Sequence, residues 1–303
     1  MNKLAATLGV LVFAGAAAGW FVTAPRPLSD AAITALPEGD AERGEVMFWA
    51  GGCASCHAAP GAKGEDKLRL SGGLKLETPF GTFVAPNISS HRDDGIGGWS
   101  KADFANAMLT GVSPEGSHYY PAFPYTSYAR MKPEDVSDLF AFLQTVPEVA
   151  GKAPGHELGF PFNIRHGLGV WKLLNFSADP VVAAPASGPD VDPEVWQLGR
   201  YLVEGPGHCS ECHTPRDALG GLDKSRWLAG APAATGEGKV PGLDAASDVG
   251  GWSLADIAYY LESGFTPEYD SVGGEMVPVQ ENMARLSATH REAIATYLKA
   301  LPR

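Results

Sequence analysis

The sequence predicts an all-α protein built as two tandem copies of one small domain behind an N-terminal membrane helix. Three observations carry this expectation. The pentapeptides Cys53-Ala54-Ser55-Cys56-His57 and Cys209-Ser210-Glu211-Cys212-His213 use all four cysteines of the 303 residues. Motifs around them recur in one order at offsets of 153 to 156 residues, and a nearly constant offset marks a repeated unit. A charge-free apolar run from Leu4 to Val22 precedes both copies.

That run, nineteen residues rich in Ala, Gly, Leu and Val, reaches the lower end of a bilayer span, with Lys3 held inside and Trp20 and Phe21 near the far interface. Read instead as a signal peptide, its apolar core is Leu4 to Phe13, and Ala16-Ala17-Ala18 offers a cleavage site that leaves Gly19 as the first residue. Continuation of the run past the alanines favours the uncleaved anchor. Either form exports the rest of the chain. Residues 1–24 are thus an anchor or signal, and residues 25–40, with Pro25, Pro27, Pro37 and Gly39, a linker without a core of its own.

The first copy, residues 41–150, begins with a helical pattern from Asp40 through Gly44, Met47 and Phe48 to the first pentapeptide. Ala58 to Ser90 reads as loop, holding Thr78-Pro79-Phe80-Gly81 and Ala85-Pro86-Asn87-Ile88. Ser100, with Asp103 three residues on, signals the start of a helix through Phe104, Ala107 and Met108 to Gly111. Pro133 suits the first position of a last helix carrying Val136, Leu139, Phe140 and Leu143 and ending at Pro147. Residues 151–190 form an interdomain linker: Phe160-Pro161-Phe162-Asn163-Ile164-Arg165, a short helix to Leu174, and a Pro/Ala-rich stretch to Pro189.

The second copy, residues 191–303, repeats this order. Gly199 matches Gly44, Gly250-Gly251-Trp252-Ser253 matches Gly97-Gly98-Trp99-Ser100, and Thr296-Tyr297-Leu298-Lys299-Ala300-Leu301-Pro302 matches Ala141-Phe142-Leu143-Gln144-Thr145-Val146-Pro147. The two glycines and the aromatic-Leu pairs would let the first and last helices of each copy cross closely.

Cys-x-x-Cys-His is the attachment signal of a c-type haem. Two thiols at this spacing reach the two vinyl groups of one porphyrin as thioethers, and the adjacent imidazole falls beneath the iron. A thioredoxin-type dithiol or a shared four-sulfur zinc site would use the same cysteines, but neither accounts for a histidine after both pairs. Two covalently bound haem c groups are therefore expected, on Cys53, Cys56 and His57 and on Cys209, Cys212 and His213. A net charge of −12 argues against nucleic acid as a partner, because a phosphate backbone needs a basic surface. No separate catalytic constellation is present.

The helix order is that of a class I cytochrome c domain. Beyond residue 40 the chain resembles the multi-haem cytochrome c subunits of membrane-bound bacterial alcohol and aldehyde dehydrogenases. The resemblance rests on Thr78-Pro79-Phe80-Gly81, Asn87-Ile88, Gly95-Ile96-Gly97-Gly98-Trp99-Ser100, Tyr120-Pro121-Ala122-Phe123-Pro124-Tyr125 and Cys212-His213-Thr214-Pro215-Arg216. Members of that family usually carry three haems; this chain has two attachment motifs. The resemblance implies a cytochrome c fold and an electron-transfer role, here from a periplasmic dehydrogenase to a terminal oxidase or another cytochrome; the apolar run adds that the protein is anchored in the inner membrane with its haem domains in the periplasm, or soluble there if the signal is cleaved. The competing class is a di-haem enzyme, a peroxidase or thiosulfate-oxidising protein with one open iron.

The sixth ligands follow from the same comparison. Met276, in the loop leading to the last helix, is assigned to the second haem, with Met283 as the alternative. The family has methionine at the position of Phe123, and a phenyl ring cannot bind iron. Met131, Met108 and His118 are the replacements within reach, and Met131 is favoured by the segment it occupies. His91, His118, His156, His166, His208 and His290 read as loop, surface or propionate-contacting residues, and Arg165 and Arg216 as propionate partners or ordinary surface arginines.

Overall fold

The apolar run winds into one helix, α1 (Lys3–Val22), in a computed structural model that describes residues 3–186, 191–233 and 238–301. The expected membrane helix is corrected here: among the described residues no helix is long and apolar enough to cross a membrane. The end of α1 is committed to the protein body instead. The Trp20 ring stacks on His166 at 3.6 Å, and Thr23 Oγ1 meets His166 Nε2 at 3.0 Å. The carbonyl of Thr23 lies so close to Gly169 that a Cβ there would stand 1.9 Å from it.

A short α2 (Asp30–Thr34), capped by Ser29, leads to the first copy. Asp40 caps α3 (Ala41–Ala50) by accepting from the backbone of Glu42 and Arg43. The pentapeptide itself forms α4 (Cys53–His57). Next comes a departure from the all-α expectation, in the stretch read as loop. Strands β1 (Lys75–Thr78) and β2 (Gly81–Val84) pair antiparallel with Thr78 opposite Gly81. The turn needs Gly81, whose φ is +120°. Sequence reading saw Pro79 and Gly81 as breakers, whereas they close a hairpin of alternating Leu76 and Phe83 partners.

Helix α5 (Lys101–Thr110) carries the capping box of Ser100 and Asp103, and Gly111 at φ +60° ends it. After α6 (Tyr125–Tyr128), α7 (Pro133–Leu143) starts at its proline and closes four residues before Pro147. The Gln144 side chain there turns away to donate to the Ile96 carbonyl. The linker adds β3 (Glu157–Leu158) to the edge of β2 and forms α8 (Leu168–Asn175), as the sequence suggested.

The second copy runs through α9 (Pro193–Glu204), α10 (Ser210–His213), the two-residue strands β4 (Ala231–Pro232) and β5 (Lys239–Val240), α11 (Asp248–Gly251), α12 (Leu254–Ser263), α13 (Met276–Met283) and α14 (Ala288–Lys299). Its capping box, Ser253 with Asp256, repeats that of α5. Pro302, the last residue of the matched motif, lies outside the described residues.

In each copy the first and last helices cross where glycine removes the side chain. A Cβ on Gly44 would lie 2.0 Å from the Asp138 carbonyl of α7, and one on Gly199 would lie 1.9 Å from the Ala293 carbonyl of α14. The α3–α7 crossing is also pinned by Asp138, 1% exposed, which takes a forked pair of bonds from Arg43 at 2.7 and 2.9 Å. Phe48, Leu139, Leu143, Leu202 and Tyr297 are each 2% exposed or less and build the core around these crossings.

Candidate haem sites

Each attachment pentapeptide leaves its imidazole held by one proline carbonyl. His57 Nδ1 lies 2.8 Å from the Pro86 carbonyl and His213 Nδ1 lies 2.7 Å from that of Pro241. A carbonyl only accepts, so Nδ1 must carry the hydrogen in both rings, which leaves Nε2 with the lone pair a metal needs. Burial lowers the pKa of both histidines, more than the proline bonds raise it, and so favours the neutral ring that can ligate.

The loops that bring the prolines into place are built alike. Gly72 donates to the His57 carbonyl at 2.7 Å and Gly230 to the His213 carbonyl at 2.8 Å. Ile88 and Leu243 donate to the carbonyls of Leu70 and Leu228, both fully buried. In the first copy the loop is also tied to the start of the linker, because the Asn87 amide donates to the carbonyls of Val149 and Gly151 at 2.7 and 2.9 Å. This is the work of the Ala85-Pro86-Asn87-Ile88 motif.

The surroundings of the cysteines are not those of a reactive dithiol pair. None of the four is in a disulfide, and burial pushes the thiols of Cys53 and Cys209 up to about 12 and that of Cys56 up to about 11. A disulfide-exchange motif needs a lowered thiol pKa. Nor do they form a cage: among the described residues no group of three or more His, Cys, Asp or Glu side chains is gathered to hold a metal ion. Pairs of thiols beside a one-handed imidazole fit covalent haem.

The candidates for a sixth ligand fall in different surroundings. Met276 opens α13 and is partly buried, while Met283, at the other end of that helix, is 4% exposed in the core. Met131, just before α7, and Met108 in α5 are also 4% exposed and in the core. His118 is turned to the end of α1, with Nε2 2.9 Å from the Thr23 carbonyl and Nδ1 without a hydrogen-bond partner. Arg165 donates to the His118 carbonyl and lies over the Tyr120 ring, and Arg216 pairs with Glu211 at 2.6 Å.

What sequence reading missed is the contact between the copies. Asn282 donates to Ser55, inside the first pentapeptide, at 2.7 Å. Thr126 and Ser127 both donate to Glu211, inside the second, at 3.1 Å. Glu204, 1% exposed, lies 3.9 Å from Arg130 of the first copy. Both attachment segments therefore lie at the interface between the copies.

Paired imidazoles of this handedness, beside buried thiols in two helical copies, define a haem protein of the c type. Residues 41–147 match the family model described as Cytochrome c. The chain belongs to the diheme c-type cytochromes: it is 54% identical to a "Diheme cytochrome c-type" of Cereibacter sphaeroides, over 99% of its own length and 98% of the relative's. It is also 35% identical to the fructose dehydrogenase cytochrome subunit of Gluconobacter japonicus, over 86% of this chain and 52% of that one. A similar match, 35% over 91% of this chain and 59% of the relative, is to the cytochrome c subunit of the quinone-dependent alcohol dehydrogenase of Gluconacetobacter polyoxogenes. The chain thus spans a little over half the length of these two subunits. It carries two covalently bound haem c groups and transfers electrons.

Proposed function

We propose that this cytochrome takes single electrons from a periplasmic dehydrogenase, moves them between its two haems, and delivers them to a respiratory acceptor, either a terminal oxidase or another cytochrome. The dehydrogenase is supported by relatives that are themselves cytochrome subunits of fructose and alcohol dehydrogenases. Residues 41–150 and 191–303 would each hold one haem, outside the cytoplasm, where c-type attachment takes place.

Haem c supplies a one-electron couple when bound. The chain's part is ligation, orientation and exclusion of water. Cys53 and Cys56, with Cys209 and Cys212, would hold the two haems as thioethers, and His57 and His213 would be the proximal ligands. Their bonds to Pro86 and Pro241 carry this assignment, because they fix the ring orientation and raise the basicity of Nε2. Met276 would hold the second haem from the sixth position and Met131 the first. Neutral thioethers in both places would give low-spin irons of raised potential.

One observation favours a second reading, a di-haem enzyme with an exchangeable iron. Phe123 stands in the first copy where Met276 stands in the second. Electron paramagnetic resonance separates the two: a carrier shows two low-spin ferric signals, an enzyme a high-spin one. Co-purification from detergent extracts, with the bound subunits identified, tests the dehydrogenase. A preparation that is reduced by no dehydrogenase of its own source would overturn the proposal.

A further inference from the structure

The residue before each first cysteine has a positive φ in both copies but not the same side chain. Gly52, before Cys53, has φ +58°, and His208, before Cys209, has φ +37°. Glycine adopts this region freely, whereas a residue with a Cβ is strained there, and such strain persists only where the surroundings hold it. The first copy shows that the turn into the attachment helix works with glycine. Something other than the turn therefore retains histidine in the second copy.

The ring of His208 reaches out of its own copy. Its Nε2 lies 3.1 Å from the carbonyl of Gly51, so Nε2 carries the hydrogen and donates. Gly51 is two residues before Cys53. The ring also meets Tyr128 edge-on at 5.6 Å. Tyr128 is itself buried, with the first pentapeptide's Cys53 and Cys56 near enough to add to the burial that raises its hydroxyl's pKa. Other cross-copy bonds, Asn282 to Ser55 and Thr126 and Ser127 to Glu211, join an attachment segment to a helix of the opposite copy. His208 joins the approach to one attachment segment directly to the approach to the other.

We infer that His208 is a positioning residue that fixes the separation and orientation of the two attachment segments, and so sets the rate at which an electron passes between the haems they carry. That passage oxidises one iron and reduces the other, and it falls steeply with separation. The inference rests on the reading above, that two haems exchange electrons within one chain. It adds that one hydrogen bond between loops, made by neither iron's ligands, contributes to that rate.

The test uses the full haem-loaded protein and two variants. His208→Gly restores the residue of the first copy and relieves the backbone, so it removes the bond without a folding penalty from the turn. His208→Gln keeps an amide nitrogen at about the reach of Nε2. One electron is injected into the oxidised protein by flash photoreduction, and its redistribution between the haems is followed optically. His208→Gly is expected to keep two haems per chain, their spectra and their potentials, while redistribution slows about tenfold or more, as expected of an ångström-scale loss of positioning. His208→Gln should restore most of the rate. Unchanged redistribution in His208→Gly, or a His208→Gln variant as slow as His208→Gly, overturns the inference. Absence of redistribution in the unaltered protein would instead overturn the two-haem exchange on which it rests.

Discussion

Phe123 and Met276 occupy equivalent places in the two copies. The preceding turns share one isolated bridge, Val112 with His118 and Phe265 with Ser271. They also share one closing bond, from Tyr119 to the Gly111 carbonyl and from Val272 to the Gly264 carbonyl. Phe123 and Met276 each follow that bond by four residues. The two iron sites therefore differ at the residue best placed to distinguish them, and the assignment of the first sixth ligand turns on Met131. Its counterpart by position before the last helix is Leu286, equally buried at 4%.

Met131→Leu should abolish the near-infrared charge-transfer band of one His/Met haem, read by magnetic circular dichroism, and leave the other. Retention of two such bands in the variant would refute Met131 as the ligand. A high-spin first haem in the unaltered protein would support the enzyme reading instead.

For the second haem, Met276→Ala should lower its potential by on the order of 100 mV, a modest part of the ~0.8 V that axial ligation spans. The same variant should bind carbon monoxide at that iron. A redox titration with both midpoints unchanged sinks the assignment.

Acid-acetone extraction should leave two haems per polypeptide, because both pentapeptides form thioethers. Haem lost to the solvent, or a count of one by pyridine haemochrome, contradicts the paired-site reading. Cys209→Ser combined with Cys212→Ser should leave one.

Gly199→Ala places a methyl group 1.9 Å from the Ala293 carbonyl. The backbone of α9 and α14 must separate, at a cost of about 1–3 kcal/mol or more. Thermal unfolding of the haem-loaded protein should fall by roughly 2–4 °C for each kcal/mol. Gly251→Ala, where an added Cβ meets nothing within 4 Å and φ is not positive, controls for the residue type.

Lys172 supplies the pH prediction. Its ammonium donates to the carbonyls of Thr110 and Gly111 at 2.8 and 2.7 Å and lies over the Tyr125 ring. Burial nonetheless pushes its pKa down to about 8 from 10.5. Between these two values the unfolded chain holds a proton that the folded one has released, so this group makes stability rise with pH across that window. Lys172→Met should remove the rise, seen as a flatter melting temperature between pH 8 and 10 than that of the unaltered protein. A profile parallel to the unaltered one overturns the prediction.

Much of this architecture was legible because the decisive residues act locally. Ser100 and Asp103, or Ser253 and Asp256, cap a helix within one turn, and that spacing can be read directly. Gly44 and Gly199 were legible through repetition, since their partners recur at the same offset. The β1–β2 hairpin was not, because Pro79 and Gly81 signal a break equally well in a loop or a turn between strands. The contact between copies left no trace in spacing at all: Ser55 and Asn282 meet across a surface that no period describes. The membrane helix was misread because apolar length alone does not show that Trp20 and Thr23 are spent on His166 and His118.

The two proline carbonyls have one more consequence. Each imidazole leans on a separate strut, and the strut at Pro86 is braced by Asn87 against Val149 and Gly151 at the head of the linker, while the strut at Pro241 stands within the second copy. A change at Asn87 thus reaches the basicity of His57 and leaves His213 untouched. The two imidazoles can thus be re-aimed one at a time, by substitutions that lie outside both pentapeptides.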